Sequence, residues 1–405
     1  MSQPGKRTLL ILFLPSEWRT YHRKPYWEAL ARHSQVLVVE PPAGILSVWL
    51  HPKRMIDYLR RAGKLRRNQT NIYFYRPLQL ASPGIDFMIP PLAWLDRFLM
   101  RLQIQSAMKQ IKNEFDTALV FLVHAQQYHF SAMIPEAWQC YEITDLYALP
   151  RGQIQLDEKH PHTKRVRRRE KRIISGSDVI ITSSKLIYDE LNGMCTGLYY
   201  LHNAADYRHF AKSAASELEI SADIKYFPRP ILGFFGNINN LIDYELLTKL
   251  AAAFHSGSIV LIGGEQKITR VHNDTWYQKT KTIENIHYLG FRDYDNLPAY
   301  LQAFDVCLMP FRLIDWMRYS APNKTYQYLA SGKPVVSTDF PEMHYVEKVI
   351  SIGKSHAEFI ELVRQALNDS SPEKRTARQQ VASENSTEKW AEKVMNILSK
   401  TLNEK

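Results

Sequence analysis

The chain contains few cysteines, which bears on the kind of fold it can form. Its 405 residues include three, spread along the sequence at Cys140, Cys195 and Cys307. Their spacing fits neither a disulfide framework nor a metal site. Each lies in or after an apolar run, so we expect buried free thiols, which fits a reducing compartment.

Long apolar segments are also missing from the sequence. Leu9 to Leu14 is apolar, but Pro15, Glu17 and Arg19 follow it closely. This run is too short for a signal peptide and predicts a first strand. No run approaches the roughly 20 apolar residues of a membrane-spanning helix. We therefore expect a cytoplasmic protein, located peripherally at the inner face of the cell membrane.

Acidic residues are outnumbered by basic ones, 41 to 52, giving a net charge of +11. The excess is concentrated in two segments, Pro52 to Arg76 and Lys159 to Arg172. Such runs can bind anionic lipid at about 1 kcal/mol per basic residue, so we expect contact with an anionic membrane surface. A solvated helix face is the alternative interpretation. Nucleic acid is not an expected partner, because no binding motif accompanies the charge.

Strand and helix patterns alternate along the whole chain, which is typical of doubly wound parallel sheets. The polar stretch that ends in Phe-Pro-Arg-Pro predicts a linker between two such units. We expect an N-terminal domain at 1–210, a linker at 211–229 and a C-terminal domain at 230–380. Residues 381–405 should form a terminal helix. Two facing sheets would leave a ligand cleft at the carboxyl ends of their strands.

One aromatic pattern concerns packing. Pro91 to Ile111 predicts a long amphipathic helix with Trp94, Phe98 and Leu102 on one side. We interpret this stripe as part of the core, with membrane contact as the alternative.

The segment Ser320 to Thr338, SAPNKTYQYLASGKPVVST, carries the clearest chemical signal. A proline turn leads into a short helix, and Gly332 ends that helix before an apolar strand. Unpaired N–H groups at the helix start favour an anion, and Lys324 adds a full charge there. Gln327 lies on the same helix face, where it could bind a ribose or a base.

This layout resembles the nucleotide-sugar site of GT-B glycosyltransferases. The segments Gly233 to Leu247, Val260 to Gly264 and Asn285 to Phe311 resemble the entry loop, second strand and base-binding segment of that fold. The resemblance implies an α/β protein with two Rossmann-like domains facing a cleft, of which the N-terminal domain binds the acceptor and the C-terminal domain the nucleotide sugar. It further implies that the helix at 381–405 crosses back toward the N-terminal domain. It also implies donor binding by Gly236, Asn237, Arg292, Pro322, Asn323, Lys324 and Gln327.

The first half resembles group 1 glycosyltransferases of the teichuronic-acid type, and the departures from that pattern are informative. Many retaining relatives have two glutamates where this chain has Tyr319 and Gln327. The usual Arg and Lys after the glycine loop are absent as well. The Lys-x-x-Gln-Tyr run at Lys324 is similar to the inverting, xanthan-type glucuronosyltransferases. In those enzymes the base is an Asp in a Tyr-x-x-x-Asp context, which corresponds to Tyr141 and Asp145.

Glycosyl transfer needs a group that takes the proton of the acceptor hydroxyl. Asp145 is the candidate base, and a cap of the following turn is its alternative role. His124, after a buried strand, could contact a sugar or assist the acceptor. A purely structural hydrogen bond is its alternative. Glu142 we expect at the surface or at a strand end.

The resemblance implies an enzyme that moves a sugar from a nucleotide diphosphate sugar, with a UDP-sugar favoured, to a lipid-linked saccharide. Its product would belong to bacterial exopolysaccharide or another cell-surface glycan. Inversion is slightly favoured, and no cofactor or metal is expected to be required. The alternative is a non-catalytic GT-B protein that binds a nucleotide sugar or glycan within an assembly complex. The donor sugar and the acceptor stay open at this point.

Overall fold

The computed structural model describes residues 7–14, 18, 21, 23–44, 59–68, 70–80, 90–111, 114–149, 155–215, 218–266, 271–369 and 371–403. Within these ranges no helix combines the length and the apolarity needed to cross a bilayer. Lys53 and Arg54, which belong to the basic segment Pro52 to Arg76, lie outside the described residues.

The strands follow the apolar runs of the sequence. They are β1 (Thr8–Phe13), β2 (Gln35–Val39), β3 (Ala43–Gly44), β4 (Arg66–Arg67), β5 (Ile72–Tyr75), β6 (Leu78–Gln79), β7 (Thr117–Leu122), β8 (Trp138–Ile143), β9 (Val179–Thr182), β10 (Leu198–Tyr200), β11 (Ile231–Phe235), β12 (Ser258–Ile262), β13 (Ile286–Gly290), β14 (Val306–Met309), β15 (Val335–Thr338) and β16 (Ser351–Gly353).

The helices fill the connections between these strands. They are α1 (Lys24–Leu30), α2 (Pro90–Gln110), α3 (Pro161–Ser175), α4 (Lys185–Leu191), α5 (Tyr207–Ala211), α6 (Tyr244–Ala253), α7 (Thr275–Thr280), α8 (Leu297–Ala303), α9 (Asp315–Arg318), α10 (Lys324–Ala330), α11 (His356–Leu367), α12 (Pro372–Glu384) and α13 (Thr387–Asn403).

Two separate parallel sheets organise these elements. The first has eight strands in the order β10-β9-β8-β7-β1-β2-β5-β4, with only β4 antiparallel to its neighbour. The second has six strands in the order β13-β12-β11-β14-β15-β16. The strand order reverses direction between β1 and β7 in the first sheet and between β11 and β14 in the second. Open α/β sheets bind ligands at the carboxyl ends of strands beside such reversals.

Helices cover both faces of the first sheet, as a buried parallel sheet requires. On one face α1 packs with α13, where the ring of Tyr26 meets that of Trp390 at 4.9 Å in a T-shaped pair. On the other face Met100 and Ile104 of α2 and Ile173 of α3 join the core. The C-terminal helix α13 therefore packs against the first domain, although the second domain precedes it in the chain.

The expected core position of the α2 stripe is wrong. Trp94, Phe98 and Leu102 are 62%, 45% and 47% exposed, while the opposite face of α2 supplies the core contacts. Both faces of this part of the helix are apolar, so the periodicity alone did not identify the face that packs inward.

Several arginines of the first basic segment make structural contacts. Arg66 and Arg76 both pair with Glu40, and Arg76 is only 2% exposed. Arg67 pairs with Glu114 at 3.5 Å. These three residues stabilise the edge of the first sheet, which reduces the charge that this segment can offer to a partner.

Candidate functional site

The centre of the site is a contact between Lys324 and Gly236. Gly236 follows β11 with φ +146°, a conformation that side chains rarely adopt. A β-carbon at this position would lie 2.8 Å from Nζ of Lys324. The same ammonium group lies 4.9 Å from the ring centroids of both Phe234 and Phe311. Glycine is thus required here by the backbone and by the approach of the lysine.

Lys324 places a positive charge in an environment of rings and backbone. Among the residues that the structure describes it forms no ion pair, and burial lowers its pKa to about 8. An enclosed ammonium group without a counter-ion is costly unless an anion joins it. Because Phe234 and Phe311 come from β11 and the loop after β14, this charge lies where the second sheet reverses direction. The arrangement can bind an anionic group such as a diphosphate.

The turn beside this lysine is held by close backbone contacts. The N–H of Gly236 donates to the carbonyl of Ile262 at 2.8 Å. A β-carbon on Gly263 would overlap the carbonyl oxygen of Gly236, at 1.8 Å. Asn237 is exposed next to this turn. The predicted residues Gly236 and Asn237 therefore occupy a fixed, open edge of the second domain.

The remaining residues predicted around α10 lie on this same short helix and its entry. Gln327 is 8% exposed, and its side chain has no hydrogen-bond partner among the described residues. Asn323 precedes the seven-residue helix without capping it through its side chain, and the carbonyl of Pro322 accepts the N–H of Thr325 at 3.3 Å. The amide of Gln327 is thus uncommitted and near Lys324, as ligand binding would require.

Arg292 is held by a different set of contacts. Its guanidinium donates to the hydroxyl of Tyr300 at 2.6 Å and pairs with Asp223 at 2.7 Å. Tyr300 also donates to Asp223, at 2.9 Å. No contact among the described residues joins Arg292 to Lys324 or Gln327. Donor binding by Arg292 thus stays a prediction, and its observed partners tie β13 to the segment between the domains.

One pair of aspartates has the spacing of some metal sites. Asp293 and Asp295 flank Tyr294 at the 3-10 helix Tyr294–Asn296. Among the described residues, no group of three His, Cys, Asp or Glu side chains is arranged as metal ligands.

Asp145 lies on the opposite wall of the cleft, just after β8. Its carboxylate accepts from the hydroxyl of Thr144 at 3.3 Å and from that of Ser320 at 3.4 Å. Burial raises its pKa to about 6, while these two hydrogen bonds and the charge of Arg23 oppose the rise. No backbone N–H within the described part of the chain donates to its side chain, so the alternative role as a turn cap is not observed. The hydroxyl of Ser320 also donates to the carbonyl of Trp316 at 2.9 Å, so Asp145 shares its proton. Because Ser320 is four residues before Lys324, the carboxylate of Asp145 contacts the loop that leads to α10.

His124 follows β7 and has a structural role. Its Nδ1 accepts the N–H of Gln126 at 3.0 Å, capping the 3-10 helix Ala125–His129. Its ring lies 4.3 Å from that of Tyr147, whose hydroxyl bonds that of Thr144 at 2.9 Å. With Nδ1 accepting, the neutral ring carries its proton on Nε2. The alternative that sequence reasoning left open, a structural hydrogen bond, is present, and the ring is linked through Tyr147 to the residue beside Asp145.

A buried link that sequence reasoning missed joins the two walls. Glu142 is 2% exposed and pairs with Arg23, so its expected surface position is wrong. Arg23 also donates to the side-chain carbonyl of Asn203 at 3.2 Å. The amide of Asn203 donates to the carbonyl of Ala321 at 2.5 Å. A glutamate within the buried strand WQCYEI indicates that a positively charged side chain lies nearby, but the sequence does not identify that residue.

Further hydrogen bonds join the two domains elsewhere along their interface. The N–H of Leu156 donates to Asp315 at 2.8 Å. Glu342 accepts the N–H of Lys185 at 2.5 Å and the hydroxyl of Tyr200 at 2.9 Å. The donor-side loop and the candidate base are thus held in one arrangement by contacts on both sides of the site.

Sequence comparison with known proteins supports this reading of the second domain. Residues 229–369 match the family model described as Glycosyl transferases group 1. A protein of Bacillus subtilis (strain 168), "Putative teichuronic acid biosynthesis glycosyltransferase TuaH", is 25% identical over 213 residues. That match covers 51% of this chain and 52% of the relative, so the chain spans about half the length of that relative.

Solved structures share the fold over nearly the whole chain. Sucrose-phosphate synthase from Thermosynechococcus elongatus matches with a TM-score of 0.66 at 14% identity, covering 98% of this chain and 100% of that one. Anabaena Alr3699/HepE, solved in complex with UDP and glucose, matches with a TM-score of 0.62 at 14% identity, covering 96% and 99%. The E. coli trehalose-6-phosphate protein bound with UDP-2-fluoro glucose gives 0.64 at 12% identity, covering 97% and 99%. The chain therefore has the GT-B fold, and its residues 229–369 are similar to the group 1 glycosyl transferases.

Proposed function

We propose that this protein transfers a sugar from a nucleotide diphosphate sugar to a saccharide acceptor. The observation that carries the proposal is the hydrogen bond across the two domains from Ser320, four residues before Lys324, to Asp145. A sugar donor needs an anion site for its diphosphate, and an acceptor hydroxyl needs a base. The two domains supply one group each, on facing walls.

In the proposed reaction the acceptor hydroxyl gives its proton to the carboxylate of Asp145. Its oxygen attacks the anomeric carbon as the bond from that carbon to the diphosphate breaks. The electron pair leaves on the diphosphate, whose charge the ammonium group of Lys324 stabilises. Because the base and the leaving-group site belong to different walls, a single displacement with inversion suits the arrangement. No step of this scheme calls for a metal.

The choice of substrates rests on the relatives. Two structural neighbours carry UDP or a UDP-sugar analogue in their names, which favours a UDP-sugar as donor. The Bacillus relative is named for teichuronic acid biosynthesis, which favours a lipid-linked saccharide acceptor and a role in exopolysaccharide or cell-surface glycan synthesis. Such an acceptor would place the protein at the inner face of the cell membrane.

A transfer assay tests the proposal. The protein is incubated with radiolabelled UDP-, GDP-, ADP- or dTDP-sugars and a bacterial lipid extract that contains lipid-linked saccharides. We expect label from one donor class to enter the organic-extractable fraction, and Asp145→Asn to abolish this transfer. Nucleotide binding without transfer from any donor, together with unchanged nucleotide binding by Asp145→Asn, would favour the non-catalytic alternative.

The two shifted pKa values predict a bell-shaped dependence of kcat/KM on pH. Asp145 must be deprotonated to act as a base, so activity rises as the pH passes its pKa of about 6. Lys324 must be protonated to bind a diphosphate, so donor capture falls as the pH passes its pKa of about 8 in the free protein. Measuring kcat/KM between about pH 5 and about pH 9.5 checks both limbs. Lys324→Arg should remove the alkaline limb, and a limb that persists in this variant contradicts the assignment.

A further inference from the structure

The outward side of α2 carries large apolar side chains that are exposed in the described part of the chain. We call it the α2 apolar face, and it consists of Trp94, Leu95, Phe98 and Leu102, which are between 36% and 62% exposed. The rings of Trp94 and Phe98 stack with their centroids 5.6 Å apart and their planes within 5°. The opposite side of the helix already fills the core. A helix that is apolar on both sides has a second partner besides its own core.

The charges beside the α2 apolar face are positive. Arg97 and Arg101 are its neighbours on the helix: Arg97 donates to the carbonyl of Ala93 at 3.1 Å, and the charge of Arg101 helps to lower the pKa of the Glu136 carboxyl. The acid of this helix, Asp96, points the other way, since it is 1% exposed and accepts the N–H of Leu80 at 2.7 Å. An apolar helix face bordered by arginines is complementary to a partner with an apolar interior and a negatively charged surface.

The basic helix α3 extends this positive region. Arg169 of α3 lies 4.7 Å over the ring of Tyr128, in the 3-10 helix Ala125–His129. Burial and the charges of Arg97 and Arg169 together lower the pKa of His129 to about 4, so both arginines act on the same short helix. The outward side of α3 adds Lys164, Arg165, Arg168, Lys171 and Arg172, all exposed.

We propose that the α2 apolar face inserts into an anionic lipid bilayer while the exposed basic residues of α2 and α3 bind its headgroups. Aromatic and leucine side chains suit the boundary between headgroups and acyl chains, and nearby arginines and lysines suit anionic lipids. The docking deepens the proposed membrane location and does not depend on the proposed transfer reaction. It assigns lipid contact to α2 and α3 rather than to Arg66, Arg67 and Arg76 of the first segment, which pair within the fold.

This placement would bring a lipid-linked substrate to the cleft. His124 begins the same 3-10 helix that Arg97 and Arg169 approach, and it follows β7 at the carboxyl end of the first sheet. The α2 apolar face therefore lies toward the end of the first domain that carries Asp145.

Vesicle flotation tests the proposal with the full-length protein. The vesicles contain phosphatidylcholine with about 30% phosphatidylglycerol, or phosphatidylcholine alone. We expect the wild-type protein to float with the anionic vesicles, and Trp94→Ser/Phe98→Ser to bind them at least about tenfold more weakly. Met194→Ser/Tyr226→Ser is the matched control, because these residues are 78% and 83% exposed elsewhere. It should bind like wild type.

A second measurement keeps the proposal testable if Trp94→Ser/Phe98→Ser folds poorly. Brominated acyl chains should quench part of the tryptophan fluorescence of the wild-type protein, and Trp94→Phe, which keeps an aromatic ring, should float normally but lose that quenching. Wild-type protein that fails to float with anionic vesicles, or a control that loses binding equally, overturns the proposal. A lipid-free dimer that Trp94→Ser/Phe98→Ser converts to monomers, without any change in flotation, would assign the face to a second copy of the chain instead.

Discussion

Lys324→Met is expected to bind the donor nucleotide at least about tenfold more weakly than the wild-type protein, a loss of about 1.4 kcal/mol. Methionine keeps an unbranched side chain against Phe234 and Phe311 but removes the charge beside Gly236. A diphosphate would then meet only backbone N–H groups and uncharged side chains there. The effect should be large because no other cation contacts this turn among the described residues.

Isothermal titration with UDP, GDP, ADP and dTDP measures this effect and also identifies the base of the nucleotide. Lys348→Ala, an exposed lysine of the same domain, serves as the control and should bind like wild type. Equal affinities of Lys324→Met and wild type for the preferred nucleotide would remove the donor site from α10. Failure of every nucleotide to bind the folded wild-type protein would move the function toward glycan binding or scaffolding.

Asp145→Asn is expected to lower kcat by a factor on the order of 10² to 10⁴ while leaving nucleotide affinity nearly unchanged. The amide keeps the shape of the side chain, and its one oxygen can still accept from either Thr144 or Ser320, but it cannot take a proton. Since Asp145 lies on the first domain and Lys324 on the second, the two substitutions should separate turnover from donor binding. Steady-state kinetics and titration on the same preparation measure both quantities.

Ser320→Ala provides a finer control for the base. The Ser320 hydroxyl stabilises the charged form of Asp145 and so lowers its pKa. Without that hydrogen bond the pKa should rise, and the acid limb of the pH profile should move to higher pH with the plateau kcat retained. A retained wild-type kcat in Asp145→Asn would contradict the assignment of the base.

The sequence predicted those parts of the fold that depend on local pattern. The strands Ile231–Phe235, Ser258–Ile262 and Val306–Met309 are apolar runs that turn residues or polar residues delimit, which is the pattern behind the expected alternation of strands and helices. The contact of Gly236 with Lys324 also followed a readable signal, a glycine after a buried strand and a lysine at a helix start. These two residues are far apart in the chain, but both lie at the carboxyl ends of the strands of the second sheet.

The features that the sequence did not reveal depend on tertiary partners. Arg23 and Glu142 are 119 residues apart, and nothing local shows that they share one buried site. For α2, both faces are apolar, so only the packing of Met100 and Ile104 on the sheet decides which face is left outside. Helices α11 and α12 were not predicted individually, although α11 buries Phe359, Val363 and Ala366 at helical spacing. In α12 the polar residues do hide the periodicity.

The link from Asn203 to Ala321 also bears on how the donor is protected from water. Asp145 holds its bond to Ser320 only while the two walls are together, and Asn203 fastens the adjoining carbonyl. When the cleft opens, these bonds separate and the carboxylate moves away from the donor lysine. Under the proposed function, water that enters an open cleft therefore finds the sugar without the carboxylate base beside it. The nucleotide sugar is then exposed to bulk water only when the chain is least able to hydrolyse it.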